Sequence, residues 1–407
     1  MATVLSIPDA DIECVVADND PLPRSQDLAQ FNGDPRFRVV RPSQNLHMTD
    51  NFEFAVRQAS GDWIFLLGGD DGVLPHRFEE FRRALLRCQT GVLTAPGIAY
   101  SWPSLSAQGN GVANWVEPCS RGTLTTKSSK PVARSLDRRS QGHLSAQLRL
   151  PRMPDIYCRG AVRREVIHEI IKRNGGRIFR TITPDYFISV AITRVVKEFS
   201  VFSRGLLIHG VSSESNGWHT LNDWAQWRRV KDTELSPDGR GPAYFGAGTI
   251  PNLEMLWLDC LFAPVSRGQR LSVRQQQRLS RMIAATTPKA LLEPTREHLL
   301  TLWPDAEREI ERWFKLGRLG SKTVADYRSL LQGRSRTTLA LMRGGARWRA
   351  ASPHLSSTLD FARLVERLDR GDLVFEQDFR GIVSRFRWLS GNIEGTCWRR
   401  SLRFPGQ

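Results

Sequence analysis

The sequence predicts an α/β protein: a mixed, mainly parallel sheet with flanking helices, followed by an α-helical C-terminal region. Three observations carry that expectation. Short apolar runs end in carboxylates, as in Cys14-Val15-Val16-Ala17 before Asp18-Asn19, and Trp63-Ile64-Phe65-Leu66-Leu67 before Gly68-Gly69-Asp70-Asp71. Helical patterns alternate with those runs, as in sheets built from crossover units. From about residue 220 the strand-like runs stop and 3.6-residue spacing takes over.

The elements follow in order. Residues 14–17 read as a strand because the run is short, continuous and apolar. Residues 35–40 read as another short strand. Arg36 beside it can meet a phosphate or pair with Asp34 on its own loop. Residues 45–59 carry a helical pattern, with Phe52, Ala55, Val56 and Ala59 on one face and Asp50 or Thr49 available as N-cap. Residues 63–67 read as a buried parallel strand, and the glycines after it permit a tight turn at its C-terminal end. In open α/β sheets that edge is where ligands bind. Carboxylates there, Asp70 and Asp71, can hold Mg²⁺ or Mn²⁺ through hard oxygen ligands. An acidic turn also needs no such role, since Asp and Gly are common turn residues.

Residues 76–90 read as a helix with Phe78, Phe81, Leu85 and Leu86 facing inward, and 92–100 as a strand. Residues 102–150 are polar and weakly periodic, a long loop or β-insert. Trp102 and Trp115 within it are candidates for stacking on a ligand, ahead of Tyr157 and Trp218, which also suit a core. Residues 157–162 read as a strand, 164–174 and 186–193 as helices, and 199–208 as a closing strand. Helices are expected over 253–262, 273–284, 294–303 and 306–316, with two last ones over 359–368 and 379–389. The expected domains are 1–220 (with the 102–150 insert), a helical region 221–332, a basic linker 333–353 and a helical segment 354–407.

The chain has 407 residues, enough for two or three domains. Its net charge is +16 and its pI about 10.3. That suits anionic partners, although an arginine-heavy sequence also follows from genomic composition. The six cysteines are scattered without metal-ligand spacing, which fits a reducing, cytosolic setting. No apolar run reaches the ~20 residues of a membrane span, and nothing at the N-terminus resembles a secretory signal. No zinc-finger, RNP-type or helix-turn-helix signature supports nucleic-acid binding.

The ordered series of strand and Asp18-Asn19, strand, Asn-rich loop, helix, strand and Gly68-Gly69-Asp70-Asp71, then Pro75, resembles the family 2 glycosyltransferases with the GT-A fold. The similarity is strongest to the subgroup whose acidic motif reads Gly-Asp-Asp-Asp. It continues in Met153-Pro154-Asp155-Ile156-Tyr157, in Thr183-Pro184-Asp185-Tyr186, and in Ile208-His209-Gly210 with Ser215-Asn216-Gly217. It covers roughly residues 1–220. Gly69 departs from the subgroup, where an Asp is usual, and this bears on metal affinity.

The resemblance implies an inverting, metal-dependent transfer of a sugar from a nucleotide-diphosphate donor to an acceptor hydroxyl, in polysaccharide or glycoconjugate biosynthesis. It implies Asp18, Asn51 and Asp70 for the donor. Asp70, Asp71 and His209 follow as ligands of a divalent cation (Mg²⁺ or Mn²⁺), and Asp185 as the base. Each has a plainer reading: a strand-end turn for Asp18, a helix start for Asn51, a structural loop residue for His209 and an N-cap for Asp185. The expected partners are a nucleotide-sugar donor, a glycan or lipid-linked acceptor and an anionic membrane face, with no nucleic acid. The expected location is cytoplasmic, peripheral on the inner membrane face.

The family's first strand and most of its first helix have no counterpart here, and Met1 to Ile7 looks like the tail of that helix. A start upstream of Met1 is therefore expected, with an impaired fragment as the alternative. The competing function readings are an inactive relative, a sugar-phosphate nucleotidyltransferase and a nucleic-acid-binding protein.

Overall fold

The computed structural model describes residues 1–20, 28–105, 112–114, 121–142, 153–215, 253–262, 271–287, 291–318 and 356–370. The strands are β1 (Cys14–Ala17), β2 (Phe37–Val40), β3 (Trp63–Ile64), β4 (Gly72–Val73), β5 (Val92–Thr94), β6 (Ile98–Ser101), β7 (Val112–Asn114), β8 (Leu124–Ser128), β9 (Gly160–Arg163), β10 (Glu198–Phe202) and β11 (Leu207–Val211). The helices are α1 (Ala2–Leu5), α2 (Met48–Gln58), α3 (Phe78–Arg87), α4 (Lys130–Ser140), α5 (Arg164–Arg173), α6 (Pro184–Val195), α7 (Leu253–Phe262), α8 (Val273–Thr286), α9 (Leu292–Leu302), α10 (Glu307–Arg318) and α11 (Thr358–Arg370).

Three sheets form: β1-β2, then β3-β9-β5-β10-β8, then β4-β11-β6-β7. The sheet is mixed as expected, but the parallel share is smaller than the sequence suggests. Among the described residues β1–β2, β5–β10 and β6–β11 run parallel. The other five pairings are antiparallel. Among the described residues β1 pairs only with β2, and β3 pairs with β9. All four residues of β1 are only half-buried, which suits a strand laddered on one side.

Two expected strands are each broken in two. The 92–100 run divides at Pro96-Gly97 into β5 and β6, and the 199–208 run divides at 203–206 into β10 and β11. In both cases the first piece lies in the five-stranded sheet and the second in the four-stranded one. The two crossings touch, since a Cβ on Gly205 would lie 2.6 Å from the Pro96 carbonyl. A proline cannot donate to a ladder, so the strand changes partners there.

The core divides in the same way. One cluster joins the five-stranded sheet to α2, α5, α6 and the helical region, with Ile170, Phe187, Ile188, Leu279 and Phe314 fully buried. The second joins α1, α3, β4, β6, β11 and α11, around Phe81, Tyr100 and Phe202. Leu86 is 70 % exposed, against expectation. Phe78, Phe81 and Leu85 lie at i, i+3 and i+7, Ala84 completes the stripe, and Leu86 points off it.

Neither Asp50 nor Thr49 caps α2. His47 stands at its N-cap, and its side chain makes no capping bond. Asp50 pairs with Arg177, and the Thr49 hydroxyl donates to the Thr181 carbonyl (2.9 Å). Helix α4 falls in the 102–150 stretch expected to be a long loop or β-insert. Its buried apolar residues, Val132 and Leu136, are few, so periodicity alone gave a weak signal. The expected linker at 333–353 and the helix at 379–389 lie outside the described residues. No helix among the described residues is long and apolar enough to cross a membrane.

Candidate active site

The acidic turn spans Gly68 to Asp71, and the Asp71 amide donates to the Gly68 carbonyl (3.3 Å). Its two carboxylates face different surroundings. The Asp71 side chain is 0 % exposed. One of its oxygens accepts from the Gly68 amide (2.6 Å) and the Cys158 thiol (2.6 Å). The other accepts from the Gly210 amide (2.8 Å) and lies 3.5 Å from His209 Nδ1. Burial pushes the Asp71 carboxyl upward. The His209 bond and charge, with Cys158 and Gly68, outweigh this and hold it below the usual range.

Asp70 is half-buried and turned the other way. Its carboxylate accepts from Ser215 Oγ and from Ser212 Oγ (3.2 Å). Trp102 Nε1 donates to its carbonyl (2.8 Å). Trp102 therefore holds the turn, a use different from the expected stacking on a sugar. Burial raises the Asp70 carboxyl, and the neighbouring Asp71 charge adds to it.

Two glycines let this turn and β11 meet. A Cβ on Gly210 would stand 1.7 Å from the Asp70 carbonyl, and one on Gly68 would stand 2.6 Å from the Tyr157 hydroxyl and 2.9 Å from Asp71. Tyr157 itself lies edge-on to His209 and tilted on Phe52. Burial holds its phenol well above the ordinary value. Cys158 adopts φ 51°, the left-handed region that side chains rarely enter. That turn aims its thiol at Asp71. Burial and the Asp71 charge raise the thiol far above its ordinary value, so it stays protonated and donates.

Asp185 sits in the first turn of α6, after Pro184. Burial raises its carboxyl to about 6, the Tyr186 amide pulls it back, and the charges of Asp155 and His209 also reach it. The segment before α6 is fixed to α2. The buried Glu53 carboxylate accepts from the amides of Ile178 (3.2 Å) and Phe179 (3.4 Å). On the far side Tyr186 stacks on Trp257 of α7, 4.4 Å between centroids. The helical region thus braces the element that carries Asp185.

The donor-side candidates gather at the end of β1. Asp18 accepts from the Asp20 amide (3.1 Å), a strand-end turn, and pairs with Arg41. Asn51 Nδ2 donates to the Ala17 carbonyl (3.4 Å), while its Oδ1 is buried without a partner. Asn19, passed over in the sequence, clamps Leu46 through both its amide atoms. Arg36 takes its local pairing. It binds Asp34 and donates to the carbonyls of Leu5 (2.6 Å), Ile7 (2.6 Å) and Asp9 (3.0 Å), which fixes α1. Ser212, Cys158 and Asp155 also went unsingled in the sequence, and only the spacing of Ser212 and Ser215 after His209 hints at the first. Trp115, Asn216, Gly217 and Trp218 lie outside the described residues.

Asp71, Cys158 and His209 offer ligand atoms within 4.8 Å of one another. The set suits a cation poorly as it stands, because the thiol is protonated and both Asp71 oxygens already accept hydrogen bonds. Asp70, with two hydroxyls beside it, presents the oxygen chemistry that Mg²⁺ or Mn²⁺ prefers.

The search of curated proteins found no match. Among solved structures, S. aureus TarS 1–349 in complex with UDP-GlcNAc superposes at 11 % identity and TM-score 0.41, over 83 % of this chain and 86 % of that one. TarS 1–349 in complex with UDP gives 13 % and 0.37 over the same shares. A further S. aureus TarS structure gives 13 % and 0.36 over 78 % and 51 %. Likeness at this level assigns no residue a role. Residues 1–117 match the sequence profile of "Glycosyl transferase family 2". That match takes in β1, α2 and the acidic turn, so the N-terminal part of this chain is similar to the family 2 glycosyltransferases.

Proposed function

We propose that the protein transfers a sugar from a nucleoside-diphosphate donor to an acceptor hydroxyl, with inversion. One observation carries this reading. A half-buried carboxyl, Asp185, is raised to about 6 at a helix start within electrostatic reach of Asp155 and His209. A general base works best with a pKa near the operating pH. Asp185 takes the proton from the attacking hydroxyl, and Pro184 and Tyr186 hold it in place. A base opposite the leaving group gives inversion.

Asp70 supplies the carboxylate for a divalent cation, and His209 stands beside it. Asp71 keeps His209 and the turn in position and does not need to leave its bonds. Bound there, the cation offsets charge on the diphosphate leaving group. Asp18 and Asn51 hold the nucleoside part. The unpartnered Asn51 oxygen supports this, since a buried acceptor without a donor is costly and a donor hydroxyl would relieve it. The +16 charge supports docking on an anionic membrane face that carries a glycan or lipid-linked acceptor. Flotation with and without anionic lipid tests that part.

The direct test is thermal shift with UDP-, GDP- and CDP-sugars, with and without Mn²⁺. Stabilisation that requires both nucleotide and metal is expected. No response from the folded protein would favour the second reading, an inactive relative, which the Gly69 departure motivates.

A further inference from the structure

Helix α11 comes from the far end of the described chain, yet it packs directly behind the acidic turn. We propose that α11 is a positioning element of the active site, which sets the place of Asp70 through an aromatic relay and is locked there by Asp369. The consequence for donor binding rests on the role proposed for Asp70. The positioning itself does not.

The relay is continuous. Phe361 of α11 is 1 % exposed and stacks on Tyr100 of β6, with centroids 5.3 Å apart and planes at 15°. Tyr100 meets the edge of Trp102 at 5.6 Å. Trp102 Nε1 donates to the Asp70 carbonyl (2.8 Å). A parallel contact reaches β4, which follows the turn at once. A Cβ on Gly72 would lie 3.1 Å from Thr358, the first residue of α11, and 3.1 Å from Thr3 of α1. Packed aromatic and backbone contacts of this kind have little slack, because interiors are dense.

The lock lies at the other end of α11. Asp369 accepts from Arg77 Nε (2.7 Å) and its terminal nitrogen (2.9 Å), from Arg204 (2.9 Å) and meets His76 Nε2 (2.7 Å). Arg77 is 2 % exposed and also donates to the Gly205 carbonyl (2.9 Å). Arg77 follows β4, and Arg204 precedes β11. The two ends of α11 therefore hold β4, which follows Asp71, and the entry to β11, which carries His209. A bidentate arginine–carboxylate pair fixes orientation as well as distance. Taking Asp369 away strands a buried guanidinium, so the helix cannot leave cheaply.

The test compares the full chain with Phe361→Leu and Asp369→Asn by amide hydrogen exchange. Exchange over 68–74 and 98–102 is expected to speed up by about tenfold or more in both variants, while 273–286 in the helical region stays at the parent rate. A rise confined to 356–370 overturns the proposal. Should Asp369→Asn fail to fold, Phe361→Leu, which alters one apolar contact, decides alone. Binding of UDP, GDP and CDP with Mn²⁺ is measured on the same samples. If exchange at 68–74 responds but no protein binds nucleotide, the donor reading fails and the positioning role stands.

Discussion

Asp71 and Asp70 are adjacent in sequence and predicted to behave oppositely when neutralised. Asp71 accepts from two backbone amides and a thiol, and its side chain is wholly buried beside His209. In Asp71→Ala the Gly68 and Gly210 amides lose their acceptor. At about 1–3 kcal/mol per stranded donor, and with an unpaired His209, the loss comes to about 3–5 kcal/mol. Domain stability is only about 5–15 kcal/mol. Asp71→Asn keeps one acceptor oxygen, but its amide nitrogen must face a donor. Either orientation turns that nitrogen onto a backbone amide, Gly68 on one side or Gly210 on the other, and the expected loss is about 2–3 kcal/mol. Asp70→Asn meets two serine hydroxyls that can rotate to accept, so its loss is within about 1 kcal/mol. Urea titration measures all three. Nucleotide-dependent stabilisation by Mn²⁺ should vanish in Asp70→Asn and persist in folded Asp71→Asn. The reasoning is refuted if Asp71→Asn is as stable as the parent and loses the metal response.

Three other outcomes are expected. Asp185→Asn keeps donor binding and lowers turnover by about 10²–10⁴, the usual worth of a general base; equal loss of both would show a structural role. The raised carboxyl of Asp185 adds stability below its ordinary 3.8, and that contribution is lost as pH rises through about 6. Accordingly Asp185→Asn should be no less stable than the parent at pH 7, by up to roughly 3 kcal/mol more stable, while parent turnover climbs through about pH 6. Gly210→Ala forces a Cβ to 1.7 Å from the Asp70 carbonyl and should cost about 3 kcal/mol or more, seen as loss of soluble protein or a steep fall in melting temperature. Arg36→Ala frees three carbonyls of residues 5–9 and should cost about 1–3 kcal/mol; hydrogen exchange over residues 1–9 would stay slow if Arg36 were dispensable.

The legible parts of the site were local. The apolar run and glycines before Asp70 announced a turn at a strand end, and Pro184 before Asp185 announced a helix start. The illegible parts were contacts across long sequence separations. Trp102 was read as a surface aromatic because nothing nearby reveals that its indole reaches Asp70. Cys158 was not singled out, since a strained backbone that turns a thiol onto a carboxylate leaves no mark in composition. Leu86 was placed inward from hydrophobicity alone, though its angle on the helix takes it off the buried stripe.

Strand identity shows the same boundary. The 92–100 and 199–208 runs have the β-propensity of single strands, and Pro96 is the one visible sign that the first must break. Residues 130–140 have too few apolar positions to announce a helix, and α4 exists because Val132 and Leu136 find α6 and α7 to pack on.

The sequence by itself determined the fold class, the family its N-terminal part resembles and the order of the chemistry-bearing segments, because apolar periodicity and turn residues act over a few positions. Tertiary structure decided which of two neighbouring aspartates is buried among backbone donors and which is half-buried beside two serine hydroxyls. It also brought α11 and the helical region onto the elements that carry Asp70 and Asp185. Those outcomes depend on burial and on partners far along the chain, and both exist only once the chain is packed.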